Sequence, residues 1–156
     1  MNSREGVAGP IPAGRDQWTR WRLAAELWGW AVVLRPLKHL VPLPLLVRLS
    51  RWSRWRRPSA ATVALLRRQM APAAVPDVRL PGNCLERSLA VYRLLCRTEG
   101  AAQVVVGVRR EGHQGIDGHV WLLLDGEPLW DSPEFLAAYE AVLAFDGAGR
   151  LRRCGV

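Results

Sequence analysis

Three residues in the second half of the chain carry the side chains that acyl transfer through a thioester requires. Cys84 has a thiol, His119 an imidazole and Asp131 a carboxylate. In this chemistry the thiolate attacks a carbonyl carbon, the imidazole moves protons as base and then acid, and the carboxylate orients the imidazole. Because lone cysteines and histidines are more often structural than catalytic, the elements that position these residues decide between the two interpretations.

The sequence around Cys84 predicts that it is the first residue of a helix. Asn83 is a good N-cap, and Glu86 three residues later completes a capping-box-like pattern. Gly100 is expected to end the helix. A thiol at a helix start lies beside unpaired backbone N–H groups and the positive end of the helix dipole, which favours the nucleophilic thiolate. One helical face then comprises Leu85, Ser88, Leu89, Tyr92, Leu95 and Cys96.

The other cysteines show no comparable arrangement. Cys96 lies late on the apolar face of the same helix, and Cys154 lies in the C-terminal tail. A disulfide between Cys84 and Cys96 is implausible, because twelve residues of helix separate them by about 18 Å. No Cys-x-x-Cys motif accompanies His113 or His119, so we expect neither a metal site nor a cofactor.

The residues after this helix predict a small antiparallel sheet. A Val-rich strand over 103–109 is expected to be buried on both faces. A second strand over 119–124 begins at His119 after a Gly-rich loop, Asp125-Gly126 is a hairpin signal, and 127–131 is the returning strand.

The position of Asp131 depends on the geometry of this hairpin. A strict two-residue turn would place Asp131 on the sheet face opposite to His119, because side chains alternate along a strand. We therefore predict a three-residue loop that includes Glu127, or a bulge, and Pro128 makes an irregular return plausible because it has no N–H.

Two other carboxylates are rivals for the orienting role. Asp125 lies at the turn, about 17 Å along the strand from His119. Asp117 is closer in sequence but is expected to lie in the preceding loop. Both are weaker candidates than Asp131.

The first half of the chain is basic and rich in tryptophan. The formal net charge of the chain is +8; residues 1–80 carry +10 and residues 81–156 carry −2, and six of the eight tryptophans lie in the first half. Such an arm could bind nucleic acid, lie on a membrane surface, or form a helical subdomain that packs on the second half or docks a protein. Helical periodicity favours packing or protein docking over nucleic acid, while peripheral membrane contact stays a less favoured alternative.

Prolines divide this arm into segments. A first amphipathic helix is predicted with Asp16 as N-cap, and Pro36 is expected to end or kink it. Pro42 and Pro44 forbid one long helix. A second amphipathic segment over 48–57, a short helix over 59–70 and a linker over 71–81 follow.

Composition excludes several protein classes. An apolar content of 49% excludes a disordered chain, and three cysteines are too few for a disulfide scaffold. The polar first seventeen residues do not form a signal peptide, and the longest apolar run, over 27–34, is far shorter than the ~20 residues of a membrane span. These features predict a cytoplasmic protein with reduced thiols.

Several segments together resemble the transglutaminase-like leader peptidases of lasso-peptide biosynthesis, relatives of papain-fold cysteine peptidases. They are the stretch from Cys84 through Ala90, Val106-Gly-Val108, His119-Val-Trp121, Asp125-Gly126 and Asp131-Ser-Pro133. Val120 and Trp130 depart from the family pattern, which has Ala after the histidine and a small residue before the aspartate. These departures concern the shape of the pocket rather than the chemistry.

The resemblance implies an α+β fold, with an N-terminal helical arm over 1–75 and a transglutaminase-like, papain-like core over 76–156. It implies Cys84 as nucleophile, His119 as general base and acid, and Asp131 as the orienting carboxylate. The implied activity is removal of the leader from a ribosomally made precursor. The implied partners are this precursor and a separate small leader-recognition protein docked on the arm, with the asparagine-synthetase-like cyclase as a further candidate. An amide or acyl transferase using the same cysteine and a non-catalytic binding module are the alternatives.

Overall fold

Helices packed on one face of a five-stranded antiparallel sheet make up the fold, which is seen in a computed structural model. The model describes residues 13–51, 82–96, 102–110 and 115–154. The predicted α+β class, with a helical arm on a small antiparallel sheet and a helix that begins at Cys84, is confirmed. In chain order the elements are α1 (Ala13–Leu40), α2 (Leu43–Ser50), α3 (Cys84–Leu95), β1 (Ala102–Arg110), β2 (Ile116–Leu124), β3 (Glu127–Pro128), α4 (Pro133–Leu136), β4 (Glu140–Phe145) and β5 (Leu151–Arg153).

The Val-rich strand β1 lies at the centre of the sheet, whose strand order is β3-β2-β1-β4-β5. In its antiparallel register with β2, Val106 lies opposite Val120 and Gly107 opposite His119. Both faces of β1 are covered, as its continuous apolar run predicts.

The main hydrophobic core lies between the helices and one face of the sheet. Helices α1, α2 and α3 contribute to it together with alternate residues of the strands. Its members include Leu27, Leu34, Val47, Leu89, Leu95, Val104, Leu122 and Phe145. A smaller cluster on the other face contains Val105, Trp121 and Ala144, with Leu136 and Tyr139 packed against it. Because α1 contributes Leu27, Ala31 and Leu34 to the main core, this helix is part of the folded unit.

The first helix begins earlier than predicted and does not end at Pro36. It begins at Ala13, so Asp16 lies inside the helix and is not its N-cap. It also continues through Pro36 to Leu40. Proline leaves the carbonyl four residues earlier without an N–H partner, but Pro36 and Val32 are both exposed, so water can satisfy that carbonyl. Among the described helices, none combines the length and apolar character needed to cross a membrane.

The predicted break between the first two helices is confirmed, but the second helix begins earlier than expected. Pro42 is the N-cap of α2 and Pro44 lies in its first turn, where the missing N–H has no intrahelical partner to lose. The helix ends at Ser50, so the segment predicted over 48–57 is described only in its first residues. Trp52, Trp55, the helix predicted over 59–70 and the linker over 71–81 lie outside the described residues, as does Gly100.

The hairpin between β2 and β3 corrects one prediction and confirms another. Leu124 pairs with Glu127 and Leu123 with Pro128, so the turn has two residues and the three-residue loop is wrong. The returning strand is also shorter than predicted, because regular pairing ends at Pro128 and only the Leu129 N–H still donates to the backbone, at Leu122 O. This early end is the irregularity that the position of Asp131 required.

Gly107 is needed where β1 passes the aromatic ring of β2. A Cβ atom there would lie 2.7 Å from the Trp121 ring and 3.0 Å from Glu140 O. Gly107→Ala is therefore expected to lower the free energy of unfolding by about 1–3 kcal/mol through overpacking, measured by urea denaturation. Gly118→Ala is the matched control on β2, since nothing lies within 4 Å of its Cβ position, and a loss as large in this control would contradict the explanation.

Candidate active site

The first turn of α3 holds Cys84 in the position that the sequence predicted. Asn83 is the N-cap, and its side chain accepts a hydrogen bond from the Glu86 N–H at 3.1 Å. The Glu86 carboxylate in return accepts the Asn83 N–H at 3.1 Å. This confirms the capping box and places the thiol of Cys84, which is partly buried against the main core, at the positive end of the helix dipole.

Glu86 also joins this turn to α1. Its side chain is only 2% exposed, and Oε1 lies 2.7 Å from Nζ of Lys38, which is the only lysine in the chain. Arg35 approaches Oε2 at 3.9 Å from a more exposed position. Gly82 leaves room for the carboxylate, because a Cβ there would collide with Glu86. The sequence predicted the capping box but not Lys38, which neutralises the Glu86 carboxylate.

His119 lies inside β2, three residues after its first residue, and not at the start of the strand as predicted. Its side chain is 14% exposed and is surrounded by aromatic rings. The Trp121 ring stacks at 6.0 Å between centroids, the Phe135 ring meets it edge-on at 5.2 Å, and the Tyr139 ring lies tilted at 5.2 Å. The sequence analysis did not identify Phe135 and Tyr139. The signal that could have indicated them is a pair of aromatic residues four positions apart, shortly after Asp131.

Asp131 lies next to the imidazole of His119. Its Oδ1 is 3.5 Å from Nε2 of His119, within ion-pair distance, but the pair does not have hydrogen-bond geometry and Nε2 has no other partner in the described structure. Asp131 precedes Ser132, whose side chain accepts the Phe135 N–H and caps α4. With Nε2 facing this carboxylate, Nδ1 is the nitrogen left to exchange a proton with a thiol.

Of the two rival carboxylates, Asp125 lies at the exposed β2–β3 turn with φ +56°, at the far end of the strand from His119. Asp117 lies on β2 rather than in a loop, and its Oδ2 accepts bonds from Tyr139 Oη at 2.7 Å and Arg109 Nη2 at 2.9 Å. The bond from Tyr139 is the largest cause that holds the pKa of Asp117 below its ordinary value; partial desolvation opposes it, and Arg109 adds to it. The Asp117 carboxylate is thus held by Tyr139 and Arg109.

The direction of α3 relates Cys84 to the other two residues. Ser88 Oγ donates to Val120 O at 3.0 Å, and Tyr92 Oη, one turn later, donates to Asp146 O at 2.6 Å at the far end of the sheet. One turn in the opposite direction, Cys84 therefore lies toward the end of β2 that carries His119.

The side-chain faces of β2 limit how the thiol and the imidazole can meet. Val120 packs in the core beneath the helices, so alternation puts the His119 side chain on the face that carries Trp121. Within the described structure no hydrogen bond joins Cys84 to His119. The structure thus brings His119 and Asp131 into contact and directs Cys84 toward the same end of β2.

The described residues contain no group of three His, Cys, Asp or Glu side chains that could hold a metal ion. The chemistry that these residues can perform themselves is proton transfer and nucleophilic attack.

Comparison with known protein families gives one match, at the level of the superfamily. The family model described as the transglutaminase-like superfamily matches residues 31–144, which include α3, strands β1 to β3, most of β4 and the three candidate residues. A search of curated proteins and a search of solved structures each gave no significant match.

Proposed function

Because the chain belongs to the transglutaminase-like superfamily, which includes cysteine proteases, we propose that it is a cysteine peptidase with Cys84, His119 and Asp131 as its catalytic residues. The observation that carries the proposal is the contact between His119 Nε2 and Asp131 Oδ1 at the end of β2 toward which the capped start of α3 is directed. A nucleophile, a base and an orienting carboxylate are the minimum set for acyl transfer through a thioester.

In the proposed reaction His119 Nδ1 takes the proton from Cys84 Sγ, and the thiolate attacks the carbonyl carbon of a peptide bond. The oxyanion that forms is stabilised by the Cys84 backbone N–H, which has no intrahelical partner at the first helical position. The imidazolium then gives its proton to the leaving amine as the C–N bond breaks. Water, deprotonated by His119, attacks the resulting thioester and releases the acid and the thiol.

The proposed substrate is the precursor of a lasso peptide, cut between leader and core. This rests on the resemblance of the segments around Cys84, His119 and Asp131 to leader peptidases of that pathway. We propose that a separate small recognition protein presents the leader and that the chain acts in the cytoplasm. The lasso cyclase is a further proposed partner.

A stripe of residues on the exposed side of α1 supports the proposed docking of the recognition protein. Trp21 and Trp28 are 68% and 48% exposed, Val32 continues the stripe, and Arg22 and Arg35 lie exposed near it. Exposed tryptophan and arginine are the residue types most enriched at interface hot spots. Because the opposite side of α1 is part of the core, point substitutions on the stripe are a cleaner test than deletion of the arm.

The test uses the precursor peptide and the recognition protein that the proposal predicts to be encoded beside the gene, with product masses read by mass spectrometry. We expect a free-acid leader and a free core, and faster cleavage when the recognition protein is present. Trp21→Ala with Trp28→Ala should remove that stimulation, while Leu151→Ala, an exposed apolar control on β5, should keep it. A leader whose new carboxyl end is joined to an amine would instead identify a transferase. Binding of the precursor without cleavage would identify a non-catalytic module.

A further inference from the structure

A second set of contacts reaches His119 besides the one with Asp131. The Tyr139 ring lies 5.2 Å from the imidazole, between α4 and β4. Its hydroxyl donates to Asp117 Oδ2 at 2.7 Å, and Arg109 Nη2 donates to the same oxygen at 2.9 Å. The Arg109 guanidinium also lies 4.9 Å from the centre of the Tyr139 ring. Asp117 and Arg109 therefore fix the tyrosine both at its hydroxyl and at its ring.

We infer that Tyr139 is a positioning residue for His119, and that Asp117 and Arg109 act on the imidazole through it. This inference rests on the proposed function, because it assigns a role in orienting the proposed base.

The register of the sheet explains why these residues meet. Asp117 and His119 are two residues apart on β2 and so share a face, and Arg109 on β1 lies directly opposite Asp117. The residue opposite His119 is Gly107, against which the Trp121 ring packs. Tyr139 directly precedes β4, whose Glu140 pairs with Val108 of β1, so Tyr139 lies near the Arg109 end of β1.

The position of the ring matters because the contact of His119 with Asp131 is weak. At 3.5 Å and without hydrogen-bond geometry, the carboxylate alone does not fix the rotation of the imidazole. The tilted Tyr139 ring and the edge of Phe135 restrict that rotation sterically. A small misplacement of a proton-transfer group is enough to slow a reaction substantially.

The test compares Tyr139→Phe with Tyr92→Phe, since these are the only two tyrosines in the chain. Both hydroxyls donate one short hydrogen bond, but Tyr92 donates to Asp146 O at the far end of the sheet. The probe is iodoacetamide, and the measured quantity is the rate of Cys84 alkylation from pH 6 to 9, followed by mass spectrometry. We expect Tyr139→Phe to lower the rate at neutral pH about three- to tenfold and Tyr92→Phe to change it less than about twofold.

Two further variants show whether the effect passes through the proposed contacts. Asp117→Ala should lower the alkylation rate about as much as Tyr139→Phe, because each change removes the hydrogen bond from Tyr139 Oη to Asp117 Oδ2. The double variant should lose little more than Asp117→Ala alone. The charged or titratable groups around the imidazole are Asp131, Asp117, Tyr139 and Arg109, so the pH profile is recorded for each variant. The NMR signal of the His119 ring, one of three histidines, should shift in Tyr139→Phe and not in Tyr92→Phe.

The outcomes separate this inference from the proposed function. If His119→Ala slows Cys84 alkylation but Tyr139→Phe behaves like Tyr92→Phe, the positioning role is wrong and the peptidase proposal stands. If His119→Ala has no effect on Cys84 alkylation, both are overturned. Equal losses in the two tyrosine variants would indicate general destabilisation and would also overturn the positioning role.

Discussion

Cys84→Ala is expected to lower the rate of precursor cleavage at least about 10⁴-fold, because no other group among the proposed catalytic residues can form the thioester. Residual cleavage would come only from oxyanion stabilisation and binding. The side chain is partly exposed and lies at the helix start, so its loss should leave the fold and the capping box intact. Cleavage is measured by mass spectrometry and folding by urea denaturation.

Cys96→Ala is the matched control. Cys96 lies at the other end of the same helix, as its C-cap, and its thiol faces the Arg93 carbonyl at 3.5 Å. This variant should cleave the precursor at a rate close to that of the wild-type chain. Cleavage that survives in Cys84→Ala, or that is lost equally in Cys96→Ala, would contradict the assignment of Cys84 as nucleophile.

The largest expected effect on stability comes from Lys38→Met. This change leaves the Glu86 carboxylate, which is 2% exposed, without its close cation, and removing one partner of a buried ion pair costs about 3 kcal/mol or more. Against a total stability of about 5–15 kcal/mol, such a loss is severe. It is measured as the decrease in the free energy of unfolding in urea.

Two further variants test whether the buried charge is the cause. Lys38→Met combined with Glu86→Gln should recover most of the loss, because glutamine is neutral and can still accept the Asn83 N–H. Arg35→Gln should cost less than about 1 kcal/mol, since its side chain is 55% exposed and 3.9 Å from the carboxylate. If the double variant is no more stable than Lys38→Met alone, the explanation is incorrect.

The sequence predicts the start of α3 well because that information is local. Asn83, Cys84 and Glu86 lie within one turn, so their types and spacing are enough to define the cap. The partner of Glu86 is different, since Lys38 lies 48 residues earlier and meets it only through the packing of α1 on α3. A pattern within one segment does not contain that contact.

The hairpin shows a second limit of prediction from the sequence. Alternation indicated that a regular return of the chain could not bring Asp131 to His119, and that some irregularity was therefore required. It did not determine which irregularity, and the structure keeps the two-residue turn and ends the strand at Pro128. The early end frees the following residues to reach His119 and to begin α4.

Pro36 does not end α1, because the cost of a proline in a helix depends on its surroundings. A proline on the exposed side of a helix loses one hydrogen bond that water can replace, while the buried side of α1 gains packing against α3. Pro42 and Pro44 do break the chain between α1 and α2, as predicted, and they lie at the start of α2, where a missing N–H costs no intrahelical bond.

Reaction with dibromoacetone tests most directly whether the thiol of Cys84 and the imidazole of His119 act as a pair. This reagent carries one bromine on each methyl carbon, so a thiolate displaces the first and an adjacent imidazole displaces the second. After digestion, we predict that mass spectrometry finds the peptide containing Cys84 covalently joined to the peptide containing His119, and that His119→Ala abolishes this product. Cys84 alkylated at one end only, with no link to His119 in the wild-type chain, would contradict the proposed catalytic pair.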